Sequence, residues 1–294
     1  MTENLSDQNI KGSSKRRIVP SWIWRWLDYL FFHQQPVRIT LAQELLKRSP
    51  FIRYSKRLEF DAVERPQYGY ALYCAARLAR TLGQARVLAI EFGVAGGNGL
   101  VNLESHARQI SKELGIGIDI VGFDSGSGLP PSHDYRDQSF SWQPGDFPMD
   151  LEKLKARLTF SRVILGDVAK TVPAFLNEAD GAPLGCCFFD LDYYSSTREA
   201  FRIFDLPASR RLPRIGCYFD DIIGDGLAVA CEFTGELAAI QEFNAANPKR
   251  KIAKISGLDR YRKVPAAWND RLYMFHDFSH SQYSHFIIKP ADKT

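Results

Sequence analysis

Residues Val87–Asn98 read VLAIEFGVAGGN, and the reading of this stretch decides the fold. Val87, Leu88, Ala89 and Ile90 form a short aliphatic run, the pattern of a strand buried on both faces in a parallel sheet. Glu91 closes the run, and Gly93, Gly96 and Gly97 permit a tight turn in which side chains would clash. A helix beginning near Gly97 would aim its positive end and free backbone N–H groups at whatever enters the turn. Glu91 could then accept hydrogen bonds from a ribose or an amino group. The stretch supports two readings, a nucleotide-type pocket and plain strand-to-helix punctuation.

Working outward, four more strand-like runs end in acidic residues. IGIDIVGFD, Ile116–Asp124, places Asp124 33 positions after Glu91, where a second strand-helix unit offers a carboxylate to ribose hydroxyls. The other reading of Asp124 is a cap on the turn DSGSGLPP. Arg162–Leu165 is a short strand closed by Gly166-Asp167. LGCCFFDLDYYSST, Leu184–Thr197, is an apolar strand ending in Asp190 and Asp192, followed by Ser195, Ser196 and Thr197 as N-caps of a helix from Arg198. Arg214–Phe219 is a further strand, closed by Asp220-Asp221. Adjacent parallel strands lie about 4.8 Å apart, so these carboxylates can converge on one point. Such a cluster repels itself and raises its own pKa values unless a hard divalent cation such as Mg²⁺ accepts its oxygens. Helix caps and turn formers are the alternative, stronger for one Asp than for four.

Helices are expected over 39–46, 67–82, 100–114, 151–158, 169–178 and 235–243, and two late strands over 251–256 and 271–278. Residues 130–150 show neither helical nor strand period; a loop of that length suggests a lid or substrate-binding insertion, with His133, Asp134, Tyr135, Arg136 and Trp142 as its chemically able members. His276 and His280 would form a metal-ligand pair only on a helix, and the surrounding Tyr and Phe favour strand or loop.

The 294 residues, 45% hydrophobic and 24% charged, suit one large α/β domain (84–294) preceded by a flexible tail (1–17) and an aromatic, helical extension (18–83). In that extension SWIWRWLDYLFFHQQP, residues 21–36, crowds Trp22, Trp24, Trp26, Phe31 and Phe32 together. Such density needs a partner: its own domain or a second subunit, giving a homo-oligomer, with membrane-interface contact beside Lys15, Arg16 and Arg17 as the rival. A net charge of +4 without basic runs interleaved with aromatics argues against nucleic acid as a partner. Five cysteines without CxxC spacing read as reduced residues. With no eighteen-residue apolar run and no secretory h-region, a cytoplasmic protein without a transmembrane segment is expected.

The ordered set of glycine turn and acidic strand ends resembles a class I S-adenosylmethionine-dependent methyltransferase from Val87 to Phe278. GFDSGSGLP at Gly122–Pro130, DLDYYSST at Asp190–Thr197 and FDDI at Phe219–Ile222 look like the macrocin O-methyltransferase family, metal-dependent enzymes that methylate sugar hydroxyls of natural products. The resemblance implies a Rossmann-like, doubly wound, mostly parallel sheet of seven strands. It implies S-adenosylmethionine held by Glu91, Gly93 and Gly97 at its methionine end, Asp124 at its ribose and Asp167 at its adenine amino group. Val94, Ala95 and Ser125 would line the same site. It further implies Mg²⁺ on Asp190, Asp220 and Asp221 and a small-molecule hydroxyl acceptor. Asp192 is then the base, although which of Asp190 and Asp192 touches the metal stays open. Ala95 departs from the family by standing where many methyltransferases carry the second glycine of the turn. The aromatic segment and the loop fall outside the motifs and are expected to shape the acceptor site. Two other functions fit parts of the pattern: an Asp/Mg²⁺ phosphohydrolase, and a non-catalytic protein that keeps the fold for ligand binding or assembly.

Overall fold

The computed structural model of the chain describes residues 37–49, 51–178, 180–224, 226–227 and 230–287, together with Ile23. The expected tail, the aromatic segment apart from Ile23, and the association expected through it lie outside the described residues. Seven strands form one sheet: β1 (Arg86–Phe92), β2 (Gly117–Asp124), β3 (Arg162–Leu165), β4 (Leu184–Phe189), β5 (Arg211–Phe219), β6 (Arg250–Lys254) and β7 (Leu272–Asp277). Their order is β3-β2-β1-β4-β5-β7-β6, and β7 is antiparallel to both its neighbours. This is the expected mostly parallel, seven-stranded α/β sheet. The helices are α1 (Val37–Arg48), α2 (Tyr54–Glu59), α3 (Pro66–Thr81), α4 (Asn98–Leu114), α5 (Leu151–Lys155), α6 (Val168–Leu176), α7 (Tyr194–Ala200), α8 (Gly235–Ala246) and α9 (Leu258–Tyr261). No described helix is long and apolar enough to cross a membrane.

The apolar runs become central strands because both faces are covered. All six residues of β4 are buried. On one face, α3 presents Ala71, Ala75, Ala76 and Ala79 around Leu72, and these small side chains let the helix lie close to the sheet. The fit is tight: a Cβ on Gly185 would sit 2.4 Å from Val87 Cγ2 and 3.0 Å from Ala75 Cβ. Thus a helix N-terminal to residue 84 shares the core of the sheet. Beside it α4 buries Leu100, Leu103, Ala107 and Ile110 at helical spacing and stops at Gly115, whose φ of 65° is the left-handed C-terminal turn.

On the other face one feature fixes the working edge. Phe123, Phe92, Phe189 and Phe219, in register on β2, β1, β4 and β5, stack with ring centroids 5.1, 5.2 and 4.8 Å apart. Each stack contributes roughly 0.5–1.5 kcal/mol beyond area burial. The residues that follow are Asp124, Gly93, Asp190 and Asp220. A rigid aromatic row therefore lies directly beneath the residues that the sequence marks as functional.

Candidate functional site

The ladder runs one residue past the strands. Gly93 N–H donates to the Phe123 carbonyl (2.9 Å), Asp190 N–H to Phe92 (2.9 Å) and Asp220 N–H to Phe189 (3.0 Å). These bonds bring four strand ends to one edge, flanking the point between β1 and β4 where the strand order reverses. A cavity of about 630 Å³ opens there. Gly93, Ala95, Asp124, Ser125, Asp167, Asp190, Asp192, Asp220 and Asp221 line it, whereas Glu91, Val94 and Gly97 are buried and do not.

The half built on β1, β2 and β3 is a set of turns held by carboxylates. Gly93 has φ 82°, and a Cβ there would meet the Asp190 carbonyl oxygen at 1.7 Å, so no other residue fits. Ala95 also adopts the left-handed region, with φ 42°, at a cost of roughly 1–2 kcal/mol for a residue with a Cβ. Asp124 holds it there: Oδ2 accepts the N–H groups of Val94 (2.9 Å) and Ala95 (2.8 Å), and Oδ1 accepts Gly126 N–H (2.6 Å). The turn-capping reading of Asp124 is thus realised while its carboxylate still faces the cavity. Asp167 caps α6 through Ala169 N–H (2.9 Å), and Ser125 Oγ donates to the Gly128 carbonyl (2.7 Å). On α4, Glu104 accepts three consecutive N–H groups, Thr159 to Ser161; burial alone would raise its pKa, but these bonds hold it below the usual range.

Glu91 is fully buried. Tyr68 Oη donates to Oε1 (2.8 Å), and Oε2 has no partner among the described residues. Burial pushes its pKa up to about 8, against the Tyr68 hydrogen bond and the nearby Arg65 charge.

The half built on β4 and β5 is different in kind. Asp190, Asp220 and Asp221 each offer a carboxylate oxygen, all within 4.8 Å of one another. Burial, followed by the charges of Asp221 and Asp220, pushes Asp190 well above the usual carboxylate range. Asp192, whose φ of 58° turns the chain, donates its N–H to Asp221 Oδ2 (3.0 Å), and its own carboxyl is raised by burial and by Asp221. Beneath them Glu236, from the first turn of α8, accepts Asp221 N–H on Oε2 (3.1 Å), and its Oε1 is buried without a partner among the described residues. It too is pushed well above the usual range, by burial first and Asp221 second. Among the described residues Asp220 alone of this cluster pairs directly with a cation: its Oδ1 accepts Arg271 Nη1 (2.6 Å) and Tyr218 Oη (2.6 Å).

The long loop is a pinned wall. Leu129 and the Gly145–Asp146 segment are strapped together (Leu129 N–H to Asp146 O, 2.9 Å; Gly145 N–H to Leu129 O, 2.8 Å). Trp142 and Phe147 pack edge to face at 5.9 Å and, with Leu129, Pro130 and Pro131, form an apolar shelf in the cavity. Buried Asp137 accepts Ser132 Oγ (2.8 Å), Ser195 N–H (2.7 Å) and Ser195 Oγ (3.0 Å). This corrects the expected capping: α7 begins at Tyr194, so Ser195, Ser196 and Thr197 lie inside it, and the free N–H at its start is satisfied from the loop. Arg136 pairs with Asp134 and Glu242 and lies 3.8 Å over the Tyr194 ring, bracing the same contact. Of the loop residues singled out by sequence, Trp142 reaches the cavity; His133, Asp134, Tyr135 and Arg136 do not.

Sequence reading missed Glu236, Asp137, Tyr68 and the Tyr218–Arg271 clamp. An acidic residue in a helix first turn was the one signal for Glu236.

No family model matches the chain, and no curated protein matches it. Solved structures do. A calicheamicin methyltransferase, CalS11, is 22% identical over 83% of this chain and 94% of its own, with a TM-score of 0.46. An apo structure of CalS11, described as a TDP-rhamnose 3'-O-methyltransferase, is 20% identical over 83% and 96%, with a TM-score of 0.41. The O-methyltransferase TomG from Streptomyces achromogenes, in complex with S-adenosylmethionine, is 15% identical over 86% and 94%, with a TM-score of 0.38.

Proposed function

We propose that the chain is an S-adenosylmethionine-dependent O-methyltransferase that uses Mg²⁺ and acts on a hydroxyl of a sugar or other small polyol. One observation carries this reading: three carboxylates from two adjacent strand ends meet within 4.8 Å in the same cavity as the glycine turn. The donor set fits the metal, since carboxylate oxygens are the ligands a hard dication takes and the cluster lacks enough cations of its own to balance it. The turn fits the cofactor, since Gly93 leaves backbone where a side chain would stand and Asp124, Ser125 and Asp167 follow along the wall.

When bound, S-adenosylmethionine supplies an electrophilic methyl group, and Mg²⁺ on Asp190, Asp220 and Asp221 supplies charge that lowers the pKa of an acceptor hydroxyl. The chain's own residues do the rest. Asp192 lines the cavity beside the trio and accepts the hydroxyl proton. Arg271 and Tyr218 hold Asp220 in place, and Glu236 positions Asp221 through its N–H. The Trp142–Phe147 shelf covers the carbon face of the acceptor and excludes water. Calorimetric titration with S-adenosylmethionine, S-adenosylhomocysteine, NAD and ATP, with and without Mg²⁺, tests the reading: the first two should bind and the others not. Failure of both to bind defeats it.

A further inference from the structure

The wall of the cavity is lopsided in charge. Among the described residues that line it, seven are aspartates and none is Lys, Arg or His. The arginines of the adjoining segments are already engaged: Arg136 by Asp134 and Glu242, Arg157 by the Gly96 carbonyl and Asn98, Arg198 by Glu199, and Arg271 by Asp220. The helix starts are engaged too. Asp167 accepts Ala169 N–H at the start of α6, and Asp137 accepts Ser195 N–H at the start of α7. The devices that hold a phosphate, a guanidinium fork or free N–H groups at a helix start, are therefore filled by the protein's own oxygens.

One stretch of the wall adds a different chemistry. Asp146 and Phe147 stand side by side in the lining, Phe147 with a φ of 61° that an aromatic residue rarely adopts, and Trp142 lies edge to face with the Phe147 ring. Asp146 Oδ2 accepts Gln143 N–H (2.9 Å), which fixes the carboxylate in the wall, and no cation among the described residues pairs with it. Its charge reaches Asp192 and the neighbouring Tyr193 hydroxyl. Tyr193 is 1% exposed, and its hydroxyl has no partner among the described residues. Two aromatic rings beside a carboxylate make the cage that an ammonium group seeks: the ring faces are negative and the carboxylate is its counter-charge.

We propose that the acceptor is a sugar or polyol carrying a protonated amine and no phosphate, its ammonium group seated between Asp146 and the Trp142 and Phe147 rings while its hydroxyl meets Asp192. The proposal rests on the methyltransferase reading above and adds the charge of the substrate to it. Mg²⁺, the cofactor's positive charge and Arg271 are too few to balance the aspartates, so the cavity still favours a cation when metal and cofactor are bound. A nucleotide sugar would bring a diphosphate into the same field with no guanidinium or helix start to receive it. A neutral glycoside would cover the aromatic shelf but leave Asp146 unpaired. An ammonium nitrogen has no lone pair, so its pairing with Asp146 also keeps methyl transfer on oxygen.

Calorimetry on the full chain saturated with S-adenosylhomocysteine and Mg²⁺ tests the proposal with one ring in three charge states: D-glucosamine, D-glucose and D-glucose 6-phosphate, at about pH 6.5, where the amine is protonated. Glucosamine should bind at least about tenfold more tightly than glucose, and glucose 6-phosphate more weakly than either. Asp146→Asn should bring glucosamine to within about threefold of glucose, and Trp142→Leu should weaken glucosamine about threefold more than it weakens glucose. Both variants should keep the parent melting temperature and bind S-adenosylhomocysteine within about threefold of the parent, which separates a lost ammonium site from a damaged cavity. Glucosamine binding no tighter than glucose, no glucosamine binding at all, glucose 6-phosphate binding as tightly as glucosamine, or a glucosamine preference that survives Asp146→Asn would overturn the proposal. Each of those results leaves S-adenosylhomocysteine bound and the methyltransferase reading standing, whereas failure of S-adenosylhomocysteine itself to bind ends both.

Discussion

The two halves of the cavity use the same residue type in opposite ways. At the ends of β2 and β3, Asp124 and Asp167 accept backbone N–H groups, so their charge is spent holding turns in shape. At the ends of β4 and β5, Asp190, Asp192 and Asp221 cluster above Glu236 of α8, and among the described residues Asp220 alone of this set pairs directly with an arginine. Glu91 apart, whose buried Oε2 has no partner among the described residues, the carboxylates of the first half are satisfied as it folds. The second is left short of positive charge, and that shortage is the physical argument for a dication.

The largest expected effect tests that division directly. Asp220→Ala/Asp221→Ala should lower turnover at least about a thousand-fold, roughly 4 kcal/mol of barrier, while S-adenosylmethionine affinity stays within about threefold. Steady-state rates and calorimetry on one preparation decide it; metal-stimulated activity in the double variant would end the assignment. Asp124→Ala should do the reverse. It frees three N–H groups, so we expect a loss of about 2–3 kcal/mol in urea unfolding and at least about tenfold weaker cofactor binding.

Smaller effects concern the charge itself. Without metal, Asp190→Asn should raise the melting temperature by about 2 °C, because it removes a carboxylate from a repelling set, and should cancel the upward shift that Mg²⁺ gives the parent. The pH dependence then separates the acidic cluster from the core beneath α4. Asp190, Asp192 and Glu236 have folded-state pKa values raised above their unfolded ones, so their stabilisation is full in acid and is lost as pH rises through the raised values. The gain from Mg²⁺ should therefore grow with pH. His106, buried on α4 and 2.8 Å from Tyr54 Oη, is depressed to about 4 by burial. Its unfolded form takes up a proton first, so stability should drop by about 1 kcal/mol between pH 6.5 and 5.5 whether or not metal is present. Urea titrations at several pH values, with and without Mg²⁺, would expose any metal dependence of the acid limb.

What the sequence made legible follows the same division. Strands β1, β2, β4 and β5 each carry a short, mainly apolar run closed by acidic residues, so their positions and those carboxylates could be read locally. The convergence of Asp190 with Asp220 and Asp221 followed from strand spacing. What Asp124 does with its oxygens could not be read, because its partners are backbone N–H groups that carry no residue signature. Glu236 and Asp137 reach the site from a helix start and a loop, each fixed only by packing distant in sequence. The start of α7 was misplaced for the same reason: its cap belongs to Asp137, more than fifty residues earlier.

The reversed direction of β7 has an engineering consequence. Strands β1 to β5 deliver to the cavity the residues that follow them, whereas β7 brings to Asp220 the residue that precedes it, Arg271. The segment leading into β7 is thus a separate access route to the acidic cluster, outside the crossover connections that shape the rest of the rim. Exchanging residues 262–271 between related chains would retune the environment of Asp220 while leaving the glycine turn and its strand untouched.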